Sequence, residues 1–123
     1  MILGANLGIG VDIENIDRFL GLKIPENNAF LNKIYTKREL EYCFSKNNSA
    51  QHLAVRFAGK EAVIKALSSL EYEFSDFTKI EISNNEKGVP SVRINLAGFE
   101  DFNIKLSLSH CEDKALAFAV IKK

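Results

Sequence analysis

The sequence has few cysteines, no excess of charge of either sign and no long apolar run. Its two cysteines, Cys43 and Cys111, are too few for a disulfide framework, so we expect free thiols in a reducing cytoplasm. Its 16 basic residues balance 16 acidic ones, which disfavours a protein that coats nucleic acid. No apolar run approaches the roughly 18 residues of a membrane span, and the N-terminal residues MILGANLG lack the basic region of a signal peptide. We therefore expect neither nucleic acid nor membrane as a partner.

Length and residue pattern indicate one domain, 1–123, of the α+β class. Residues 7–13 alternate between apolar and small or acidic residues, as in a strand. Helices are predicted over 14–22, 26–34 and 36–45, where Thr36 and Glu39 fit a capping box, and over 53–67, which Ser49 can cap. Antiparallel strands are predicted over 77–83, 89–96, 104–109 and 115–121. This order predicts a long central helix packed on a small antiparallel sheet.

The central helix carries an acid among apolar residues. At about 100° per residue, Glu61 falls in the middle of one apolar arc, and Lys65 lies one turn further on. The arc consists of Ala50, Ala54, Phe57, Ala58 and Ile64. A carboxylate buried there needs a cation, a hydrogen-bond donor or a metal as partner. The Glu-to-Lys order at i, i+4 equally fits an ordinary surface ion pair, and the helix alone leaves both interpretations open.

A separate cationic stripe runs along the same helix. His52, Arg56 and Lys60 repeat at i, i+4 spacing, so their side chains share one face. An inward acid together with a row of positive groups suits a phosphate ligand bound to a metal ion.

Asp12 is the only charge in the first predicted strand. Gly8 and Gly10 lie on the same face of the strand, where they leave room for a ligand or another backbone. This is not a dinucleotide fingerprint, because Ile13 stands where a third glycine is needed. The alternative for Asp12 is a strand-end aspartate that caps the next helix.

Three motifs in this order resemble one family, the holo-[acyl-carrier-protein] synthases, which are the short class of 4′-phosphopantetheinyl transferases. The first is GIGVDI at 8–13, followed by Arg18. The second is RFAGKEAVIKA at 56–66, and the third is LSLSH at 106–110 before an alanine-rich last strand. Residues 30–40, with the pattern I-Y-T-x-x-E-L, also resemble the family. The resemblance covers nearly the whole chain and implies the family's fold.

The resemblance implies a magnesium-dependent transfer from coenzyme A (CoA). A serine hydroxyl of an apo acyl carrier protein attacks the β-phosphate of CoA, the phosphopantetheine arm moves to the serine, and adenosine 3′,5′-bisphosphate leaves. Asp12 and Glu61 would hold Mg²⁺, and Lys65 would meet the pyrophosphate. The residues expected near the substrate are Arg56, Lys60, Ser109 and His110. Magnesium is usually held by one or two carboxylates plus phosphate and water, which agrees with two acids from separate elements.

The resemblance also implies partners. Arg18 lies in segment 15–40, which has a net charge of plus two and would dock the acidic carrier protein. The family is homotrimeric, with each CoA site built between neighbouring chains. One departure is that Ser68-Ser69-Leu70 replaces a glycine-rich turn after the central helix. The alternatives are a non-catalytic module that binds CoA or the carrier protein, and a metal-dependent phosphoesterase that releases phosphopantetheine to water.

Overall fold

The computed structural model describes residues 6–123 and confirms the α+β class. Its helices are α1 (Asn28–Ile34), α2 (Lys37–Phe44) and α3 (Ser49–Ser69), with short 3₁₀ helices at Ile16–Phe19 and Phe77–Lys79. Its strands are β1 (Leu7–Asn15), β2 (Ile80–Asn84), β3 (Pro90–Ile94), β4 (Asn103–Cys111) and β5 (Lys114–Lys122). Within residues 6–123, no helix is long and apolar enough to cross a membrane.

The main sheet has the order β1-β5-β4 and is antiparallel throughout. β5 pairs with β1 from Leu7↔Lys122 to Asn15↔Lys114 and with β4 over a similar length. Strands β2 and β3 form a separate hairpin. The inner face of β5 is almost all alanine, because Ala115, Ala117 and Ala119 are fully buried beneath α3. Small side chains let the long helix lie close to the sheet.

Glycines bring β1 against the backbone of α3. A Cβ atom at Gly10 would lie 2.0 Å from the carbonyl oxygen of Ala62, and one at Gly8 would lie 2.3 Å from that of Ala66. The glycine face of β1 therefore makes room for another backbone. Asp12 continues this inner face, whereas the apolar side chains of Ile9, Val11 and Ile13 are more than half exposed on the opposite one.

Helix α3 is buried around most of its circumference, since it packs on β1, β5 and β4 and also on α2 and β2. Gly59 belongs to this close packing, because a Cβ atom there would lie 2.7 Å from Cδ1 of Ile82. The expectation of a single apolar arc centred on Glu61 is therefore wrong. Glu61 is half-buried, and parts of the cationic stripe are more deeply buried than the acid.

Local start signals were predicted with mixed success. The capping box of α2 is confirmed: the Glu39 amide donates to Thr36 Oγ1, and the Thr36 amide donates to Glu39 Oε1. Ser49 does not cap α3 but is its first residue, following Asn48 at the N-cap. The predicted helix 14–22 is wrong, because β1 continues to Asn15 and only a short 3₁₀ helix follows. The strand predicted from residue 77 begins at Ile80, after another 3₁₀ helix.

Candidate active site

Asp12 and Lys65 meet where β1 passes α3. Lys65 Nζ lies 3.0 Å from Asp12 Oδ1 and donates a second hydrogen bond of 3.0 Å to the carbonyl oxygen of Val11. The Asp12 side chain is only 9% exposed, and its other oxygen, Oδ2, is buried without a hydrogen-bond partner among residues 6–123. A buried carboxylate oxygen with no partner is a group that a ligand can satisfy.

Three carboxylates share this point, and we call Asp12, Glu14 and Glu61 the acidic cluster. Burial and then the charge of Asp12 raise the pKa of Glu61, while Lys65 and Arg18 oppose the rise. Burial, followed by the neighbouring Asp12 carboxylate, raises the pKa of Glu14 to about 7. The acidic cluster thus brings three carboxyl groups together beside two cations, and burial and mutual proximity favour the protonated form of Glu14 and Glu61.

Arg18 borders the acidic cluster and remains half-exposed. Its Nη1 lies 2.7 Å from Glu14 Oε1, and its guanidinium lies over the ring of Phe57, with the central carbon 5.0 Å from the ring centroid. The exposed side chain leaves Arg18 accessible to a partner, and its role in carrier docking stays a prediction.

Lys60 is not a substrate contact, and the prediction that it meets a CoA phosphate is wrong. Its side chain is fully buried, and Nζ donates to Glu39 Oε1 at 2.6 Å and to the carbonyl oxygens of Ile34 at 2.6 Å and Phe77 at 2.9 Å. An ammonium group has three donors, and all three are used here. Burial lowers the pKa of Lys60, and the charge of Glu39 opposes that effect. Lys60 therefore links α2, α3 and the segment before β2.

Arg56 lies on another side of α3, at a cavity of about 240 Å³ that we call the cationic cavity. The side chains that matter there are Tyr42, Gln51, His52, Arg56, Asn84 and His110. The guanidinium of Arg56 lies over the Tyr42 ring, 4.2 Å from its centroid, and donates to Asn84 Oδ1. Arg56 is 2% exposed, and its Nε is buried without a hydrogen-bond partner in the part of the chain that the structure describes.

The two histidines of the chain share the cationic cavity. Gln51 Nε2 lies 3.0 Å from His110 Nε2, and it can donate to this nitrogen when the nitrogen is unprotonated. His52 packs edge-on against the Tyr42 ring, with a centroid distance of 5.6 Å. Ser109 is exposed on β4 and does not line this cavity, so its role stays a prediction.

Side-chain hydrogen bonds form at the end of α3, where the family resemblance implies a glycine-rich turn. Ser69 Oγ accepts the amide of Ile9 at 3.1 Å and donates to the carbonyl oxygen of Ala66 at 2.7 Å. Glu71 then adopts a left-handed conformation with φ of 69°, and the amide of Tyr72 donates to the carbonyl oxygen of Leu67. Ser69 and Lys65 together hold the free edge of β1, which fixes Asp12 against α3.

Sequence reasoning missed Glu14 and the partners of Arg56. Glu14 lies two residues after Asp12, so strand periodicity puts both on one face, and ending the predicted strand at Ile13 concealed this. No local signal pointed to Tyr42 and Asn84, because only the tertiary fold brings them to Arg56.

Comparisons with known proteins agree on one family. The family model of the 4′-phosphopantetheinyl transferase superfamily matches residues 8–120. The holo-[acyl-carrier-protein] synthase of Aquifex aeolicus is 43% identical over 119 residues, which cover 94% of this chain and 98% of the relative. The Neisseria meningitidis enzyme of that name matches in structure with a TM-score of 0.78 and 30% identity, covering 94% of this chain and 98% of that one. The Helicobacter pylori enzyme, solved in complex with coenzyme A, matches with a TM-score of 0.78 and 27% identity, covering 93% and 99%.

Proposed function

The chain belongs to the 4′-phosphopantetheinyl transferase superfamily, and we propose that its acidic cluster is the centre of the transfer reaction. The protein moves the 4′-phosphopantetheine arm of CoA to a serine of an apo acyl carrier protein and releases adenosine 3′,5′-bisphosphate. The observation that supports the location is the buried, unpartnered Oδ2 of Asp12 beside Glu61 and Lys65. Phosphoryl transfer depends mainly on positioning and on neutralising charge, and this cluster has groups for both.

The acidic cluster fits Mg²⁺. Asp12 and Glu61 supply hard oxygen ligands, and a divalent cation between them would relieve the repulsion of their negative charges. Within residues 6–123, no three His, Cys, Asp or Glu side chains are placed so that they could hold a metal ion by themselves. Phosphate oxygens and water would therefore complete the coordination, as is usual for magnesium. When bound, the ion would polarise the phosphoryl oxygens and offset their charge.

The protein side chains have separate tasks in this proposal. Lys65 neutralises charge on the pyrophosphate and keeps Asp12 in place, since one ammonium group reaches both. Glu61 takes the proton of the carrier's serine hydroxyl. A bond then forms between the serine oxygen and the β-phosphorus, while the bond from that phosphorus to the leaving adenosine 3′,5′-bisphosphate breaks. Arg56 and His110 bind phosphate at the nucleotide end of CoA.

The two clusters lie on different sides of α3. Arg56 and Glu61 are five residues apart, which corresponds to about 7.5 Å along the helix and about 140° around it. Neither Glu61 nor Lys65 lines the cationic cavity. This separation supports a CoA site assembled from the acidic cluster of one chain and the cationic cavity of its neighbour.

A second copy of the chain is the proposed cover for the outer face of the main sheet. Large apolar side chains on β1 and β5 are 41–59% exposed there: Leu7, Ile9, Val11, Ile13, Leu116 and Phe118. A closed ring of identical chains buries such a face, and a homotrimer is the assembly that we propose.

The reaction is tested by weighing the carrier. The protein is incubated with CoA, Mg²⁺ and an apo acyl carrier protein, and the carrier is analysed by mass spectrometry. A mass gain equal to the phosphopantetheine arm is expected, and Asp12→Ala and Glu61→Ala should abolish it without unfolding the protein. Free phosphopantetheine would indicate a hydrolase, and an unchanged carrier would indicate a binding module. Near-normal rates of either variant at limiting Mg²⁺ would refute the assignment of the metal ligands.

The composite site is tested by complementation. Glu61→Ala and His110→Ala are each expected to lose activity, yet a refolded mixture should regain it well above either parent. Recovery is expected because some mixed interfaces carry an intact acidic cluster opposite an intact cationic cavity. Mixed oligomers without recovered activity would place the whole site within one chain.

A further inference from the structure

His52 occupies a position in the cationic cavity where a proton can change the charge facing a ligand. Its ring lies edge-on to Tyr42 of α2, and it lines the same cavity as Arg56 of α3 and His110 of β4. Lys46, just after α2, lies over the same Tyr42 ring, with Nζ 4.9 Å from the ring centroid. The charged groups that act on His52 are the basic residues Arg56, Lys46 and His110, and the titratable ring in contact with it is that of Tyr42.

No carboxylate lines this cavity among the residues that the structure describes. The groups from the hairpin of β2 and β3 are Asn84, Gly88 and Pro90, which carry no charge. Burial is the main cause that lowers the pKa of His52, and the charges of Arg56, Lys46 and His110 lower it further. The ring is therefore kept neutral while the cavity has no anion in it.

A phosphate monoester would reverse this balance. CoA has a pyrophosphate, assigned above to the acidic cluster, and a separate 3′-phosphate monoester on the ribose. A phosphate monoester has a charge between about −1.5 and −2 at pH 7, and an opposite charge nearby favours the protonated form of an imidazole. Arg56 lines the same cavity, and its guanidinium has a permanent positive charge.

We propose that His52 is a specificity-determining residue that gains a proton when the 3′-phosphate of CoA enters the cationic cavity. This inference depends on the proposed function, because it assigns one part of CoA to this cavity. The protonated ring adds a charge-assisted hydrogen bond that a ligand without the phosphate cannot obtain. Selection for CoA over 3′-dephospho-CoA then strengthens as the pH falls.

The direction of the pH dependence follows from linkage. Binding raises a pKa that the free protein holds low, so the contribution of His52 to affinity increases as the pH falls through the pKa of the complex and levels off below that of the free protein. Each unit of that rise corresponds to about a tenfold gain in affinity.

Calorimetry of CoA binding measures how many protons the complex takes up. Binding is measured near pH 7 in two buffers of different ionisation enthalpy, neither of them phosphate, because the difference in heat gives the number of protons taken up. Wild-type protein is expected to take up more protons than His52→Gln, by up to about one for a single imidazole. With 3′-dephospho-CoA, this difference between the two proteins should vanish.

His110→Gln is the matched control, since it removes the other histidine of the cavity. It should keep the share of proton uptake that belongs to His52. Equal uptake by wild type and His52→Gln would overturn the inference, as would a difference that persists with 3′-dephospho-CoA. A merely structural role of His52 would change the melting temperature or general affinity without changing this difference.

The carrier-mass assay distinguishes a failure of the His52 assignment from a failure of the proposed function. If wild-type protein modifies the carrier but the proton difference is absent, only the assignment of His52 fails. If wild-type protein neither binds CoA nor modifies the carrier, the proposed function fails, and the inference about His52 fails with it.

Discussion

Replacing Lys60 by methionine should lower the stability of the protein strongly and leave its recognition of CoA intact. The Lys60 and Glu39 side chains are 0% and 1% exposed, and their charged atoms lie 2.6 Å apart. The substitution leaves the Glu39 carboxylate buried and without its cation, and breaking a buried ion pair in this way costs about 3–5 kcal/mol. For a chain of this length, that loss lowers the melting temperature by about 12–19 °C, at about 2.1 cal/mol/K of unfolding entropy per residue.

Lys65→Met is the matched control, because it makes the same change on the same helix. The Lys65 side chain is 53% exposed, and its ion pair with Asp12 is therefore expected to contribute at most about 1 kcal/mol. Lys65→Met should melt within about 4 °C of wild type and lose transfer activity. Lys60→Met, assayed well below its melting temperature, should keep the KM for CoA.

Thermal melting monitored by circular dichroism and CoA kinetics on both variants give the comparison. The double variant Glu39→Gln/Lys60→Met should recover part of the lost stability, because no unpaired charge remains buried. A Lys60→Met protein with the wild-type melting temperature and a raised KM for CoA would refute the structural role of Lys60. It would support the original prediction that Lys60 contacts a CoA phosphate.

The remaining predictions concern three other positions. Gly10→Ala should lower the free energy of unfolding by about 3 kcal/mol or more and abolish transfer, because its Cβ would meet the carbonyl oxygen of Ala62; urea unfolding with wild-type stability would contradict this. Arg18→Glu should raise the KM for the carrier and flatten its dependence on salt, since an attractive charge is lost; a carrier KM that ignores salt in the wild-type protein would contradict carrier steering. Glu71→Gly should raise the free energy of unfolding by up to about 1 kcal/mol, because glycine adopts the left-handed conformation without strain; a drop in the urea midpoint would show that the Glu71 side chain stabilises the turn.

Periodic patterns predicted most of the fold, because they report which side chains face the interior. The capping box at Thr36 and Glu39 was visible because its parts lie within four residues. Asp12 and Glu61 were identified as a pair from the resemblance, and β1 and α3 do bring them close enough for the charge of Asp12 to raise the pKa of Glu61.

The failures have a common physical cause. A helical wheel assumes one buried face, whereas α3 packs against the main sheet on one side and against α2 and β2 on another. The cationic stripe was therefore divided by contacts that the sequence does not reveal. Lys60 is buried in the interior and paired with Glu39, whereas Arg56 contacts Tyr42 and Asn84 beside a cavity. The proximity of Glu39 and Asn84 to α3 is set by tertiary packing alone.

The position of Arg56 and Glu61 on different sides of one helix has a genetic consequence if neighbouring chains share each site. A chain inactivated in both the acidic cluster and the cationic cavity, as in Glu61→Ala/His110→Ala, would inactivate the site that it shares with each neighbour. Only the site that its two neighbours build together would survive. If such a chain is overproduced in a cell that also makes the normal one, each inactive chain should inactivate two of the three sites in its assembly, so the allele would be dominant. A chain inactivated in only one of the two clusters would inactivate one site, and the loss of activity would be smaller.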